Sequence, residues 1–436
     1  MSARVQELPV RGKGPATGSR AAVVMTVCAL VLLGFNLRPA ISSVSPLLGD
    51  LRDAFALSGT ELGVLTTLPV LCLGVFAPAA PALTRRFGAE ATVTGALGCV
   101  CAGILVRLVP SSLALFGGTV LAGAGLAIGN VLMPYMVRRD FPRRVGLMTG
   151  VTTMGLNVGA AVAAGATIPV RDAAGGTWQP ALAVWCVPAA AAGLLWAPLA
   201  VRHAGGVEAQ RRPTGVRHVL RDPQAWAVTV YMGMQSLVFY VLLSWVPEIA
   251  VARGYDQATG GLMLSLIMLL GVPASLVAPV LAGRLRNQGP VLAGAVGLVA
   301  VGLAGMLFVP AYSWFWAVPL GVGQGSCFAL ALTLIVLRSP DGTTSAGVSS
   351  MAQTLGYLLA AGGPLLMGVL HDATGGWSVP LAALLAWLVP EACAGLLASR
   401  PRFVRRREEG RGTTHSTAGA LIGRSLRRRP GSRRTR

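Results

Sequence analysis

Residues 35–46 read Phe-Asn-Leu-Arg-Pro-Ala-Ile-Ser-Ser-Val-Ser-Pro and place one cation, Arg38, inside the first long apolar segment of the chain. That segment runs from Ala21 to Leu48 without another charged residue. An arginine near the centre of a bilayer costs about 2.5–3.5 kcal/mol on insertion scales, and Pro39 interrupts the backbone hydrogen bonds of the helix beside it. A kinked membrane helix that carries a buried charge indicates a functional site.

The composition of the 436-residue chain predicts a membrane protein with many spans. Hydrophobic residues make up 54% and charged residues 12%, and the mean hydropathy is +0.66. Such a chain has too much apolar surface for a water-soluble domain. Twelve apolar segments are each long enough to cross about 30 Å of hydrocarbon, and we number them helix 1 to helix 12: 21–48, 59–82, 90–109, 112–137, 145–169, 178–201, 224–251, 258–282, 290–309, 311–337, 344–370 and 376–398.

The predicted fold class is therefore an all-α membrane protein with twelve transmembrane helices. A charged stretch without long apolar runs divides these helices into six and six. The predicted organisation is an N-terminal cytoplasmic tail, a first six-helix bundle, a cytoplasmic linker, a second six-helix bundle and an Arg-rich disordered cytoplasmic tail, at residues 1–20, 21–201, 202–222, 223–398 and 399–436.

The basic residues give the orientation of the helices. Of 36 Lys and Arg residues, 31 fall on the side that holds both termini, four fall on the opposite side, and Arg38 is the remaining one. Because positive loops stay in the cytoplasm, both termini are predicted to be cytoplasmic in a protein of the cell's inner membrane. The net charge of +20 thus mainly reflects the basic loops and tails on the side predicted to be cytoplasmic. The C-terminal tail is expected near anionic lipid, and nucleic acid is not an expected partner because Phe403 alone interleaves with the tail's charges.

The two six-helix halves share sequence at a nearly constant offset, which indicates an internal repeat. The pair Ala80-Pro81 recurs as Ala278-Pro279 at an offset of 198. Further matches at 200 or 201 are Gly123-Ala124-Gly125 with Gly323-Gln324-Gly325, Val137-Arg138 with Leu337-Arg338, and Thr153-Met154-Gly155 with Thr354-Leu355-Gly356. Six helices separate the copies, so both halves have the same orientation, as in transporters built from parallel repeats.

Three motifs carry a resemblance to a known family: Gly34-Phe35-Asn36-Leu37-Arg38-Pro39-Ala40, Leu65-Thr66-Thr67-Leu68-Pro69-Val70, and Ala77-Pro78 with the stretch to Arg85-Arg86-Phe87-Gly88. On these motifs, residues 25–398 resemble the major facilitator superfamily, and within it the cyanate and 2-nitroimidazole transporter branch. The superfamily's loop signature is altered, since Pro81 stands for its first Gly and Arg85 for its Asp. The resemblance implies an alternating-access carrier in which helices 1, 4, 7 and 10 line a central cavity.

The polar residues of the helices give the candidate site for a solute. Arg38, Ser42 and Ser45 share one face of helix 1, and this face is expected to be wet. By the repeat offset, Arg38 corresponds to Phe239 or Tyr240 in the second half. The predicted substrate-binding residues are Arg38, Asn36, Asn130, Gln235, Tyr240, Gln324, Gln353 and Tyr357.

Two roles remain open for Arg38. A guanidinium that faces amides and aromatic rings suits a small planar, anionic or polar solute. Alternatively, Arg38 pairs with carbonyls freed at the Pro39 kink and holds only the shape of the helix. Arg107, near the end of helix 3, is expected to snorkel toward the interface. Glu391 in helix 12 is a secondary candidate for energy coupling, although helix 12 is expected to face away from the cavity.

The sequence therefore predicts a secondary transporter of a small anionic or polar heteroaromatic solute, acting as a monomer without a metal or cofactor. A drug or metabolite efflux carrier is the alternative, and a transporter-like membrane sensor that signals through its Arg-rich tail is a further one. Enzymatic activity is not expected, because no nucleophile with its base, metal site or phosphate loop is found in a suitable setting.

Overall fold

The computed structural model describes residues 20–142, 144–202, 219–285, 287–340 and 342–404. This part of the chain is helical and contains twelve helical segments long and apolar enough to cross a membrane, which confirms the predicted fold class. They are α1 Val23–Phe55, α2 Gly59–Phe76, α3 Ala89–Arg107, α4 Ser112–Asp140, α5 Leu147–Ala173, α6 Trp178–Val201, α7 Pro223–Ala252, α8 Gln257–Gly283, α9 Gly289–Phe308, α10 Pro310–Leu337, α11 Gly347–Thr374 and α12 Ser378–Ala398.

The first spanning segment, α1, is broken where the charge and the proline occur. A regular helix covers Arg20–Asn36, and short helical pieces follow at Pro39–Ser42, Ser45–Leu47 and Leu48–Phe55. Pro39 has no N–H to donate to the carbonyl of Phe35, four residues earlier. That carbonyl faces α5 at Gly159, where an added Cβ would lie 2.1 Å from its oxygen. A glycine on α5 therefore lets the two backbones approach at the break.

The second segment, α2, is shorter than predicted. It ends at Phe76, and a separate short helix, Ala79–Phe87, follows it. Pro78 lies between the two helices and lacks the N–H needed to continue α2. The short helix ends at Gly88, whose φ of 85° is a left-handed conformation that glycine adopts without strain.

The two halves repeat their helix packing, with a register that differs from the one predicted by sequence. A Cβ on Gly125 of α4 would lie 2.4 Å from the carbonyl oxygen of Ala96 in α3, and one on Gly323 of α10 would lie 2.9 Å from that of Ala295 in α9. The equivalent of Gly125 is thus Gly323, at an offset of 198. The predicted offset of 200 in this region is wrong, because the repeated Gly-x-Gly spacing permits two alignments and only helix packing distinguishes them.

Packed structure extends beyond two of the predicted boundaries. In the predicted linker, the buried Val219 lies 3.1 Å from the Cβ position of Gly347 in α11. In the predicted C-terminal tail, Val404 is buried and its backbone N–H donates to the carbonyl of Arg338 at 2.8 Å. The remaining linker residues, 203–218, and the tail from 405 onward lie outside the described residues, as do residues 1–19.

Candidate solute-binding site

A narrow cavity lies between the two halves at the level of the α1 break. The space between protein atoms there is about 350 Å³ and is partly open to the outside. Its lining comes from five helices, α1, α5, α7, α8 and α10, and includes Arg38, Asn157, Phe239, Ile267, Met268, Gly271, Ser275, Gly321, Gln324, Gly325 and Phe328. The expectation that helices 1, 4, 7 and 10 line the cavity is therefore corrected in part: α5 and α8 contribute, whereas no α4 residue is among these lining residues.

Arg38 is the charged group of this cavity and is 9% exposed. Its Nη1 donates a hydrogen bond to Oδ1 of Asn157 on α5 at 3.3 Å, and its guanidinium carbon lies 4.4 Å from the ring centroid of Phe239 on α7. A cation over an aromatic face in a desolvated setting gains about 2 kcal/mol. In the part of the chain that the structure describes, no carboxylate forms an ion pair with Arg38. The guanidinium is thus held in place by neutral groups.

Two tyrosines extend the aromatic wall beside Arg38. The rings of Phe239 and Tyr240 meet edge to face at 5.1 Å, and Tyr240 meets Tyr357 of α11 edge to face at 6.2 Å. Both tyrosine side chains lie near Arg38. The structure therefore brings three predicted site residues, Arg38, Tyr240 and Tyr357, into one group, although neither tyrosine is among the lining residues of the cavity.

Gln324 supplies a hydrogen-bond acceptor to the cavity. It is buried on α10, and its Oε1 has no hydrogen-bond partner among the described residues. A buried amide oxygen without a partner is costly unless a ligand or a water satisfies it. The cavity thus presents a cation and an acceptor to whatever occupies it.

Arg107, rather than Arg38, bonds a carbonyl that is left without its helical partner at the Pro39 kink. It is 1% exposed, so the prediction that it snorkels is wrong. Its Nη1 donates to the carbonyl oxygen of Ala40 at 2.7 Å and its Nε to Oγ1 of Thr119 at 3.0 Å. The Ala40 carbonyl needs this partner because the N–H of Val44, its usual helical partner, donates to Ile41 instead. Arg107 therefore supports the kink, and Arg38 is left to the cavity.

Several predicted site residues lie elsewhere. Asn36 donates through Nδ2 to the carbonyls of Leu32 and of Pro188 in α6, so it links helices within the first half. Asn130 donates to the carbonyl of Leu126 in its own helix. Neither asparagine is among the lining residues of the cavity.

Two further glutamines also lie outside the cavity lining. Gln235 is fully buried on α7 and donates to the carbonyl of Met232 and to Oγ of Ser236. Gln353 donates to Oγ of Ser349 on α11 at 2.9 Å. Both amides thus donate within their own helices, and Oε1 of the buried Gln235 has no hydrogen-bond partner among the described residues.

The polar face predicted on α1 is not exposed to water on the C-terminal side of Arg38. The Ser42 hydroxyl donates to the carbonyl of Arg38, and the Ser45 hydroxyl donates to the carbonyl of Ser244 on α7. Both side chains are buried and satisfied by backbone groups. A polar stripe on a kinked helix therefore also arises from the need to satisfy freed carbonyls.

Glu391, the candidate for energy coupling, is buried inside the second half. It lies near Tyr231 of α7 and Cys327 of α10, and its Oε2 has no hydrogen-bond partner in the described part of the chain. It does not line the cavity. The expectation that this position faces away from the cavity agrees with this placement.

Asn157 and Phe239 are not among the predicted site residues, although the sequence contains an indication of each. Asn157 ends a polar stripe on α5 with Thr149 and Thr153, and Phe239 is one of the two repeat equivalents of Arg38. The lining residues of α8 left little signal, because Met268 and Ile267 are ordinary apolar residues in any membrane helix.

The two halves are joined by polar contacts on the face opposite the described ends of the chain, which we call the distal face. Arg52 pairs with Glu248 at 2.8 Å. The Asp372 carboxylate accepts from the backbone N–H groups of Gly59 at 3.0 Å and Thr60 at 2.6 Å, at the start of α2. Arg171 contacts Gln257 at the start of α8. In this conformation the distal face is closed over the cavity.

Comparison with known proteins identifies the family. The sequence model of the Major Facilitator Superfamily matches residues 26–364. The chain belongs to this superfamily. It is 38% identical over 384 residues to the 2-nitroimidazole transporter of Escherichia coli K12, which covers 88% of this chain and 97% of that protein. It is 30% identical over 377 residues to the cyanate transport protein CynX of the same organism, which covers 86% and 96%.

Solved structures agree with this assignment at the level of the fold. The major facilitator fold of this chain superposes with a TM-score of 0.72 on a bacterial homologue of the human lysosomal transporter Spinster, solved in an inward-facing and occupied conformation. The two share 14% identity, and the match covers 88% of this chain and 98% of that one. The protein is therefore a multi-pass membrane transporter of the major facilitator superfamily and not an enzyme.

Proposed function

We propose that this protein is a secondary active transporter that moves a small anionic or polar heteroaromatic solute across the cell's inner membrane by alternating access. The observation that carries the proposal is Arg38: a buried guanidinium, unpaired with any described carboxylate, that faces a narrow cavity between the two halves. Both termini lie in the cytoplasm and the protein acts as a monomer.

The chemistry of the cavity supports a small planar solute. An anionic or acceptor edge accepts hydrogen bonds from the planar guanidinium of Arg38, and a flat ring packs against the rings of Phe239 and Phe328, which line the cavity. An N–H group on the solute would satisfy the unpaired Oε1 of Gln324. The names of two relatives agree with these classes, since 2-nitroimidazole is a polar heteroaromatic and cyanate a small anion.

The contacts between the halves support alternating access. The distal face is closed by Arg52 with Glu248 and by Asp372 at the start of α2. The Arg52–Glu248 pair is half-buried, and alternating access requires that it and the Asp372 contacts break. A solute that binds the open state of the distal face more tightly than the closed state shifts the balance between the two.

The alternative transporter, an efflux carrier for larger drugs or metabolites, is supported less well. A large apolar drug would leave the buried guanidinium of Arg38 without a partner. A membrane sensor that acts through the Arg-rich tail makes a different prediction, which truncation of the tail tests below.

Ligand binding to purified protein tests the proposal directly. A panel of small anions and azoles is added to wild type and to Arg38→Ala, and thermal stability is followed, since a ligand that binds the folded state raises Tm. Stabilisation by one ligand class in wild type, lost in Arg38→Ala, is the expected result. Arg85→Ala, which removes an exposed arginine of the short helix, is the matched control. Equal stabilisation of both proteins would contradict the assigned site.

Truncation after Val404 tests the sensor. The cut keeps the contact of Val404 with Arg338, so the C-terminal half retains its packing. Uptake of the identified ligand into proteoliposomes is expected to survive the truncation. Loss of uptake in a truncated protein that still binds the ligand would show that the tail is needed for the transport cycle.

A further inference from the structure

A second cavity lies beside Arg107, on the distal side of Arg38. The space between protein atoms there is about 270 Å³, is not fully enclosed in this conformation, and is lined by α1, α2, α3, α4 and α7, with Ser45, Leu65, Arg107 and Ser244 among the lining residues. Two of these, Ser45 and Ser244, come from opposite halves, and the hydroxyl of Ser45 donates to the carbonyl of Ser244 at 2.7 Å. The cavity therefore lies at the seam that must part when the distal face opens.

The guanidinium of Arg107 is incompletely satisfied in this cavity. Of its five N–H groups, one on Nε bonds Thr119 and one on Nη1 bonds Ala40. The other three, on Nη1 and Nη2, have no hydrogen-bond partner among the described residues, and no carboxylate lines the cavity. A buried cation with unused donors and no counter-charge is unfavourable unless an anion completes it.

The neighbouring hydroxyls do not compensate the charge. Thr119 accepts from Arg107 and donates to the carbonyl of Leu115, and Thr66 donates to carbonyls of its own helix. Their hydrogens are thus directed at backbone groups, which leaves the guanidinium as the donor available to a ligand.

We propose that this cavity is a second anion site, in which Nη1 and Nη2 of Arg107 bind a small anion on the distal side of the Arg38 cavity. When the seam between Ser45 and Ser244 opens, Arg107 is the first buried cation that an anion meets from the distal face, and Arg38 is the second. The inference rests on the proposed function, because a two-step anion path has a use only in a carrier of anions.

Binding of thiocyanate to the full-length protein tests the proposal. Thiocyanate is a small anion whose C–N stretch reports contact with a guanidinium, and calorimetry gives the number of sites. We expect two sites in wild type, one in Arg107→Gln, one in Arg38→Gln and none in the double variant, with at least a tenfold loss of affinity at the removed site.

Two further variants separate binding from structure. Thr119→Val removes the support of Nε but keeps the guanidinium, so both sites are expected to remain. Leu65→Phe fills the cavity and leaves Arg107 intact, so it is expected to lose the second site even if Arg107→Gln does not fold.

Two sites retained in Leu65→Phe or in a folded Arg107→Gln would overturn the second site. One site in wild type, lost in Arg38→Gln and kept in Arg107→Gln, would overturn it while supporting the proposed function. Thiocyanate binding that Arg38→Gln leaves unchanged would count against the proposed function itself.

Discussion

At the cavity between the halves, α1 of the first half contributes the guanidinium of Arg38 and α7 of the second half contributes the ring of Phe239, 4.4 Å away. The buried charges of the two halves differ in the same sense. In its spanning helices the first half buries Arg38, Arg107 and, at the start of α3, Glu90, whereas the second half buries Glu391. The repeat has thus kept its helix packing while the chemistry of its halves has diverged.

A second pair of positions shows the same divergence nearer the membrane surface. In the first half, Nη2 of Arg139 at the end of α4 pairs with Glu90 at the start of α3, at 2.7 Å. In the second half, Arg338 after α10 contacts the neutral amide of Gln288 before α9. Geometry is conserved between the halves and charge is not, because helix packing fixes position, whereas either an acid or an amide can accept from arginine.

The largest effect is expected from adding a methyl group where the helices pack most closely. Gly125→Ala and Gly323→Ala each place Cβ within 3 Å of a neighbouring helix, so each should destabilise the protein by about 1–3 kcal/mol, measured as a fall in Tm in detergent. Gly117→Ala and Gly297→Ala, which meet nothing within 4 Å, are the controls. A large cost at one of the two packed glycines and none at the other would argue against their equivalence.

The contact between Arg38 and Phe239 should matter next. Phe239→Leu keeps an apolar side chain but removes the aromatic face, with a loss of about 0.5–2 kcal/mol, or roughly 2- to 30-fold in Kd for the solute. Titration of the purified protein measures the loss. Phe328→Leu changes a residue that lines the same cavity but has no stacking contact with the guanidinium of Arg38, so it should weaken solute binding less. Equal losses of affinity in the two variants would show that these rings contribute only by filling space.

Exchanging acid and amide should make each half resemble the other. Glu90→Gln is expected to lower the free energy of unfolding by about 1 kcal/mol, because the charge-assisted bond to Arg139 becomes neutral. Gln288→Glu should raise it by a similar amount through Arg338. Denaturation of each variant measures both changes, and two changes of the same sign would contradict this comparison.

The smallest effect on solute binding is expected from Glu391→Gln. The side chain lies outside the lining of the Arg38 cavity, so the Kd for the solute should remain that of wild type. The variant also tests coupling: uptake that loses its pH dependence, with binding unchanged, would assign proton coupling to Glu391. A weakened Kd would instead mean that the buried carboxyl influences the cavity through α7 or α10.

The sequence by itself determined the twelve spans, their division into two halves and the unusual position of Arg38. These features are local, since the transfer free energy of about 20 apolar residues fixes a span and a charge within one is conspicuous wherever its helix packs.

Only the tertiary structure decided which polar residues meet. Asn36 and Asn157 look alike in sequence, yet the first bonds to α6 and the second holds Arg38. Arg107 was expected at the interface and instead supports the Ala40 carbonyl. The physical reason is that the rotation of each helix about its axis is set by close contacts with other helices, such as that of Gly159 with the carbonyl of Phe35. That contact joins residues more than a hundred positions apart, so no local pattern contains it.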